Sequence, residues 1–178
     1  MGRISQSRAS KYWRIADTGK TVAEQGKALE DLICYVFGKI PGISVRKRNV
    51  LNIFGTEEVD VALWNEKDQN GLSFLPYILL VECKNWSKAL DSAEVSWFDT
   101  KLRNRGLTFG VLVAAKGITG NPARLTAAYS IIAGALREQR NIVVFTRAEI
   151  QATKNTDQIV RLFKEKLCDL ALVGTAVP

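Results

Sequence analysis

The sequence predicts an α/β protein in which helices flank a mixed sheet of about five strands. Three observations predict it. Tyr77-Ile78-Leu79-Leu80-Val81 is an apolar run, too short for a membrane, that fits a strand buried on both faces. Helix-start signals recur between such runs: Thr21-x-x-Glu24, Asn121-Pro122 and Thr146-x-x-Glu149. Read in order, the elements run α-β-β-β-α-β-α-β-α-α, with no repeat, low-complexity tract or interdomain linker. At 178 residues, 47% of them hydrophobic, the chain is long enough for one proper core.

Residues 1–20 are basic and polar and read as an N-terminal arm, partly disordered, ahead of one domain over 21–178. The Thr21 capping box opens a helix to about Phe37, with Val22, Leu29, Leu32, Ile33, Val36 and Ile40 on its inner stripe. Glu30 borders that stripe. Alone, such an acid is ordinarily an edge carboxylate reaching water. Pro41-Gly42 closes the helix. Ile43 to Leu51 is a strand bearing Arg46, Lys47 and Arg48, and Phe54-Gly55-Thr56 turns into a second strand, Glu57 to Trp64. Asn70-Gly71 marks a turn before the central strand, 77–84. A helix from about Asp91 to Arg105 turns Val95, Phe98 and Leu102 inward and carries Lys101, Arg103 and Arg105. Leu107 to Ala114 is the next strand, followed by a glycine loop and an alanine-rich helix from Pro122 to about Gln139. Ile142 to Phe145 is the last strand, before a short helix and an amphipathic helix over about 156–171.

Composition narrows the chemistry. There is no histidine, which removes Ser-His-Asp and Cys-His hydrolases, zinc metalloproteases and histidine-based nucleases. Net charge is +7, and residues 1–48 hold ten Lys/Arg against four Asp/Glu. The excess suits a polyanionic partner, although a solvated basic face explains it equally well. Three cysteines with no Cys-x-x-Cys spacing read as reduced thiols in a cytoplasmic protein, with Cys34 and Cys168 as small core residues. No apolar stretch has bilayer length, and no signal-peptide pattern opens the chain.

The central strand ends in charge. Removing Glu82 and Lys84 from water costs several kcal/mol, roughly, so a buried strand should not carry them without cause. Side chains alternate along a strand, so Glu82 and Lys84 share a side and Cys83 takes the other. In the second strand Asp60 opposes Val59, Val61 and Leu63. If the two strands pair with Asp60 beside Glu82, two carboxylates and a lysine converge. Mg²⁺ prefers oxygen ligands and typically takes one or two carboxylates while keeping waters. Asp60, Glu82 and the backbone carbonyl of Cys83 can supply such ligands. Lys84 then lies in reach of a water or a phosphate, as a base of lowered pKa or as a stabiliser of charge.

Val59-Asp60, followed by Glu82-Cys83-Lys84 at the end of an apolar strand, resembles the signature of the PD-(D/E)xK nuclease superfamily. More narrowly, the chain resembles restriction-endonuclease-like domains of the Mrr type. Gly26-Lys27-Ala28-Leu29-Glu30, Glu58-Val59-Asp60-Val61, Val81 to Trp86, Gly110 to Ala114 and Gly117-Ile118-Thr119-Gly120 carry the likeness, over about residues 22–145. Val59 stands where the signature has proline. The resemblance implies a restriction-endonuclease-like core with helices on both faces. It implies Asp60 and Glu82 as metal ligands, Lys84 as the catalytic lysine, and Glu30 as a first-helix acid assisting metal or water. The implied activity is a Mg²⁺-dependent DNA endonuclease, with Mn²⁺ as a substitute, in restriction or antiphage defence. A junction resolvase of the Holliday type, a catalytically inactive DNA-binding subunit and an RNA nuclease are the rivals. DNA is the expected partner, with a homodimer and a separate specificity or regulatory subunit left open, and no membrane. Arg46, Arg48, Asn85, Lys101, Arg105 and Lys116 are the candidate nucleic-acid contacts, against the reading of a charge-protected edge strand and a solvated helix end. Trp86 and Trp97 either stack on bases or fill the core, and the core is favoured.

Overall fold

Local signals fix most element boundaries in a computed structural model that describes residues 2–52, 55–124 and 126–174. Phe54 lies outside the described residues, as do Met1 and the last four residues of the expected 21–178 domain. The elements are α1 (Gln6–Thr18), α2 (Val22–Phe37), β1 (Ile43–Leu51), β2 (Glu58–Asn65), β3 (Ile78–Lys84), α3 (Ser92–Asn104), β4 (Phe109–Ala114), α4 (Ala128–Arg137), β5 (Asn141–Thr146), α5 (Arg147–Ala152) and α6 (Thr156–Val173). The Asp91 carboxylate caps α3 by accepting from the N–H groups of Ala93 and Glu94, and Thr146 with Glu149 completes a capping box on α5.

The five strands lie in the order β1-β2-β3-β4-β5. The first three pair antiparallel, whereas β3, β4 and β5 are parallel. This is the mixed α/β sheet expected. Helices α2 and α6 cover one face, where the Phe163 ring meets Phe145 at 4.7 Å, Phe37 at 5.6 Å and Phe109 at 6.4 Å. Helices α3 and α4 cover the other. There Gly110 permits a close approach: a Cβ at that position would stand 2.7 Å from the Phe98 ring and 2.8 Å from Leu102. Helix α3 therefore lies tight against β4, the neighbour of the strand that carries Glu82.

Four expectations are corrected. The N-terminal stretch is not an arm: residues 6–18 form α1, and Ile4, Ala9, Trp13 and Ala16 join the core. Burial of Ala9, Trp13 and Ala16 at helical spacing holds it there, and so does backbone pairing of Ile4 with Lys154 and of Gly2 with Thr156. Val22, expected inside, is 82% exposed because it occupies the first turn of α2, outside the packed face. The helix expected from Pro122 is only a short 3₁₀ turn to Arg124. Ala127, at φ +50°, breaks the path before α4 begins. Cys168 is exposed on α6 rather than in the core. Among the described residues no helix is long and apolar enough to cross a membrane.

Phe163 is fully buried at the meeting point of three other rings. Phe163→Ala is expected to cost about 3–5 kcal/mol of stability, read as a lower urea midpoint.

Candidate active site

The register of β2 against β3, Val61 opposite Val81 and Trp64 opposite Ile78, brings Asp60 and Glu82 one step beyond the last paired residues. There the two strands part. The Cys83 N–H donates to Asp60 Oδ2 at 2.7 Å. The far edge of β3 stays paired with β4 through Lys84 and Ala114. Glu82 and Lys84 thus sit on an anchored strand, beside a gap that Asp60 enters from the neighbouring strand.

Glu82 is 3% exposed. Its oxygens accept from Lys101 Nζ at 2.9 and 2.7 Å, and Lys84 Nζ lies 3.0 Å from Oε1. Two ammonium groups therefore neutralise a carboxylate that burial would otherwise penalise. Lys84 also reaches Glu94 of α3 at 3.6 Å. Burial pushes the Lys84 ammonium toward losing its proton, but Glu82, Asp60 and Glu94 together outweigh it and raise its pKa. Asp60 is driven the other way for an acid. Burial, and then the charge of Glu82, lift its pKa to about 6, against the lowering effects of the Cys83 N–H and Lys84.

Two carboxylates whose charges oppose each other favour a cation between them, and a hard ion that keeps its waters needs no more than this pair. Among the described residues no group of three or more His, Cys, Asp and Glu is arranged to hold a metal, so the fit rests on Asp60, Glu82 and backbone oxygen. Glu30 stands farther back. Its carboxylate is held by Arg48 at 3.3 Å, and its charge is the smallest of the influences on Asp60.

Several expected surface groups prove to be internal. Lys101, expected to face nucleic acid, is 4% exposed and spent on Glu82. Arg105 pairs with Glu57, which burial disfavours as an anion but which Arg105 and Asn104 hold with its pKa lowered. Arg48 bonds Asp31 at 2.6 Å as well as Glu30. The Asn85 amide donates to the carbonyls of Ala16 and Gln25, tying the end of β3 to α1 and α2. Arg46 is exposed, 3.7 Å from Glu66. Lys116 is exposed too, and borders a cavity of about 260 Å³ shared with Gln25, Asn85, Trp86 and Arg147. Trp86 packs partly against the core, whereas Trp97 is 45% exposed and does not fill it. Sequence reasoning passed over Glu94 and misread Lys101. The missed signal was phase: Lys101 lies three residues after Phe98 and one before Leu102, inside the apolar stripe of α3.

A family model described as restriction endonuclease, of the Mrr catalytic type, covers residues 23–153. That span takes in most of α2 and everything through α5, and so contains Glu30, Asp60, Glu82, Lys84 and Lys101. No curated protein and no solved structure matched the chain. With most of its length covered, sheet and parted strands included, the chain belongs to the Mrr-type restriction endonuclease family.

Proposed function

We propose that the chain is a divalent-metal-dependent DNA endonuclease, with Mg²⁺ as the metal, acting in restriction or defence against foreign DNA. The observation that carries this reading is the meeting of Asp60 and Glu82 where β2 and β3 part, with Lys84 bonded to Glu82. In the reading, Asp60, Glu82 and the Cys83 carbonyl hold the cation. When bound, it would supply a Lewis acid toward the phosphate and a more acidic water. The Cys83 N–H fixes the orientation of the Asp60 carboxylate. Lys84, paired with Glu82 and Glu94, stabilises negative charge gathering on the phosphate. Glu30 acts through its charge unless Arg48 releases it for a water-mediated contact. Exposed Arg46 and Lys116 are the remaining candidates for phosphate contacts, and the +7 charge supports binding that weakens with salt.

Cleavage assays with Mg²⁺, with Mn²⁺ and with chelator test the reading on linear, nicked, four-way-junction and modified DNA and on RNA. Metal-dependent cutting of DNA is expected. Cutting of junctions alone would shift the substrate to branched DNA, and binding without any cutting would defeat the proposal. Asp60→Asn, Glu82→Gln and Lys84→Met are each expected to slow cleavage at least about a hundredfold with unchanged circular dichroism.

A second outcome follows from Asp60. Its carboxyl binds a proton more tightly in the folded chain, at about 6, than at the ordinary 3.8, so folding stability falls as pH rises from the lower value to the higher. At about pH 7 the ionised group costs the folded protein up to about 3 kcal/mol. Asp60→Asn should therefore withstand more urea than the metal-free wild type at neutral pH, with the advantage fading as pH falls from about 6 to about 4. An advantage that persists unchanged in acid would contradict this account.

A further inference from the structure

Lys101 belongs to no part of the nuclease signature, yet it makes the closest contacts to Glu82. A carboxylate offers about four acceptor positions. Lys101 takes one on each oxygen of Glu82, and Lys84 takes a third. One position is left, on Oε2, and a cation that takes it meets the Lys101 ammonium already seated on the same oxygen. The contact is not a chance surface pair. Lys101 is 5% exposed at its side chain, and the absence of a side chain at Gly110 brings its helix close to the sheet.

We propose that Lys101 is a built-in competitor for the metal: in the metal-free protein its ammonium occupies Glu82 on both oxygens, and divalent metal binds there against that charge, taking a second position on the carboxylate by displacing it. The proposal rests on the reading of Asp60 and Glu82 as metal ligands. It makes Lys101 a positioning residue. It fixes Glu82 in one orientation before the metal arrives, and it weakens the first encounter with the ion through like-charge repulsion. No other cation bonded to Glu82 can be removed with so little change at the reacting centre, because Lys84 is placed beside the phosphate in the proposed chemistry.

The test is Mn²⁺ binding to the full chain without DNA, followed by calorimetry and by the electron spin resonance of free Mn²⁺. Lys101→Gln keeps a neutral donor to Glu82, and Lys101→Met removes it. In each, Mn²⁺ affinity is expected to rise at least about tenfold over the wild type. Affinity that stays the same or falls in the folded variants overturns the proposal. Glu82→Gln separates the two readings. Loss of Mn²⁺ binding there with no gain in Lys101→Gln defeats the competitor alone. Binding that survives in Glu82→Gln, or none in any form up to millimolar metal, defeats the two-carboxylate site as well. Should both Lys101 variants fail to fold, the wild type still decides. The NMR signal of the Lys101 ammonium, hydrogen-bonded to Glu82, must shift or vanish at saturating Mg²⁺, and a signal that does not move overturns the proposal.

Discussion

The structure turns on a carboxylate taken out of water at the tip of the central strand. Glu82 is tolerable there because cations meet it from two directions, Lys84 from its own strand and Lys101 from the helix above. Neither arrangement exists without the sheet. Parallel pairing with β4 fixes the height of β3, and the bare face at Gly110 lets α3 come close enough for a lysine to reach down. Backbone geometry, packing and charge thus converge on one side chain.

Across the gap, the second carboxylate is arranged on opposite terms. Asp60 receives one backbone N–H and some help from the charge of Lys84, but burial and the charge of Glu82 outweigh both. One acid is satisfied by cations, the other held in tension. Such a pair is matched to an incoming positive charge better than two satisfied acids would be, because the folded protein alone leaves part of the electrostatic demand unmet.

How much of this was legible depended on whether the information lay within a segment or between segments. β1 coincides with its expected range, and β2 and β3 fall within a residue of theirs, because alternation and apolar runs are properties of a short stretch. That Asp60, Glu82 and Lys84 come together was legible for the same reason, since spacing along two strands implies a shared side. The role of Lys101 was not, because a lysine amid other cations on a helix end reads as surface until the helix is docked and its apolar phase decides which residues face the sheet. Helix α1 was lost under its own polarity: Ala9, Trp13 and Ala16 make a narrow stripe among charged and polar neighbours. The early break near Ala127 depends on a backbone angle that alanine does not announce.

The amide of Asn85 bears on how the molecule responds to damage at its beginning. This side chain, one residue past Lys84, grips the carbonyl of Ala16 at the end of α1 as well as that of Gln25 in α2. Trimming the opening residues, which composition would mark as dispensable, would therefore let go of one of two tethers on the peptide that follows the signature lysine, so that the nominal periphery acts as a brace for the centre.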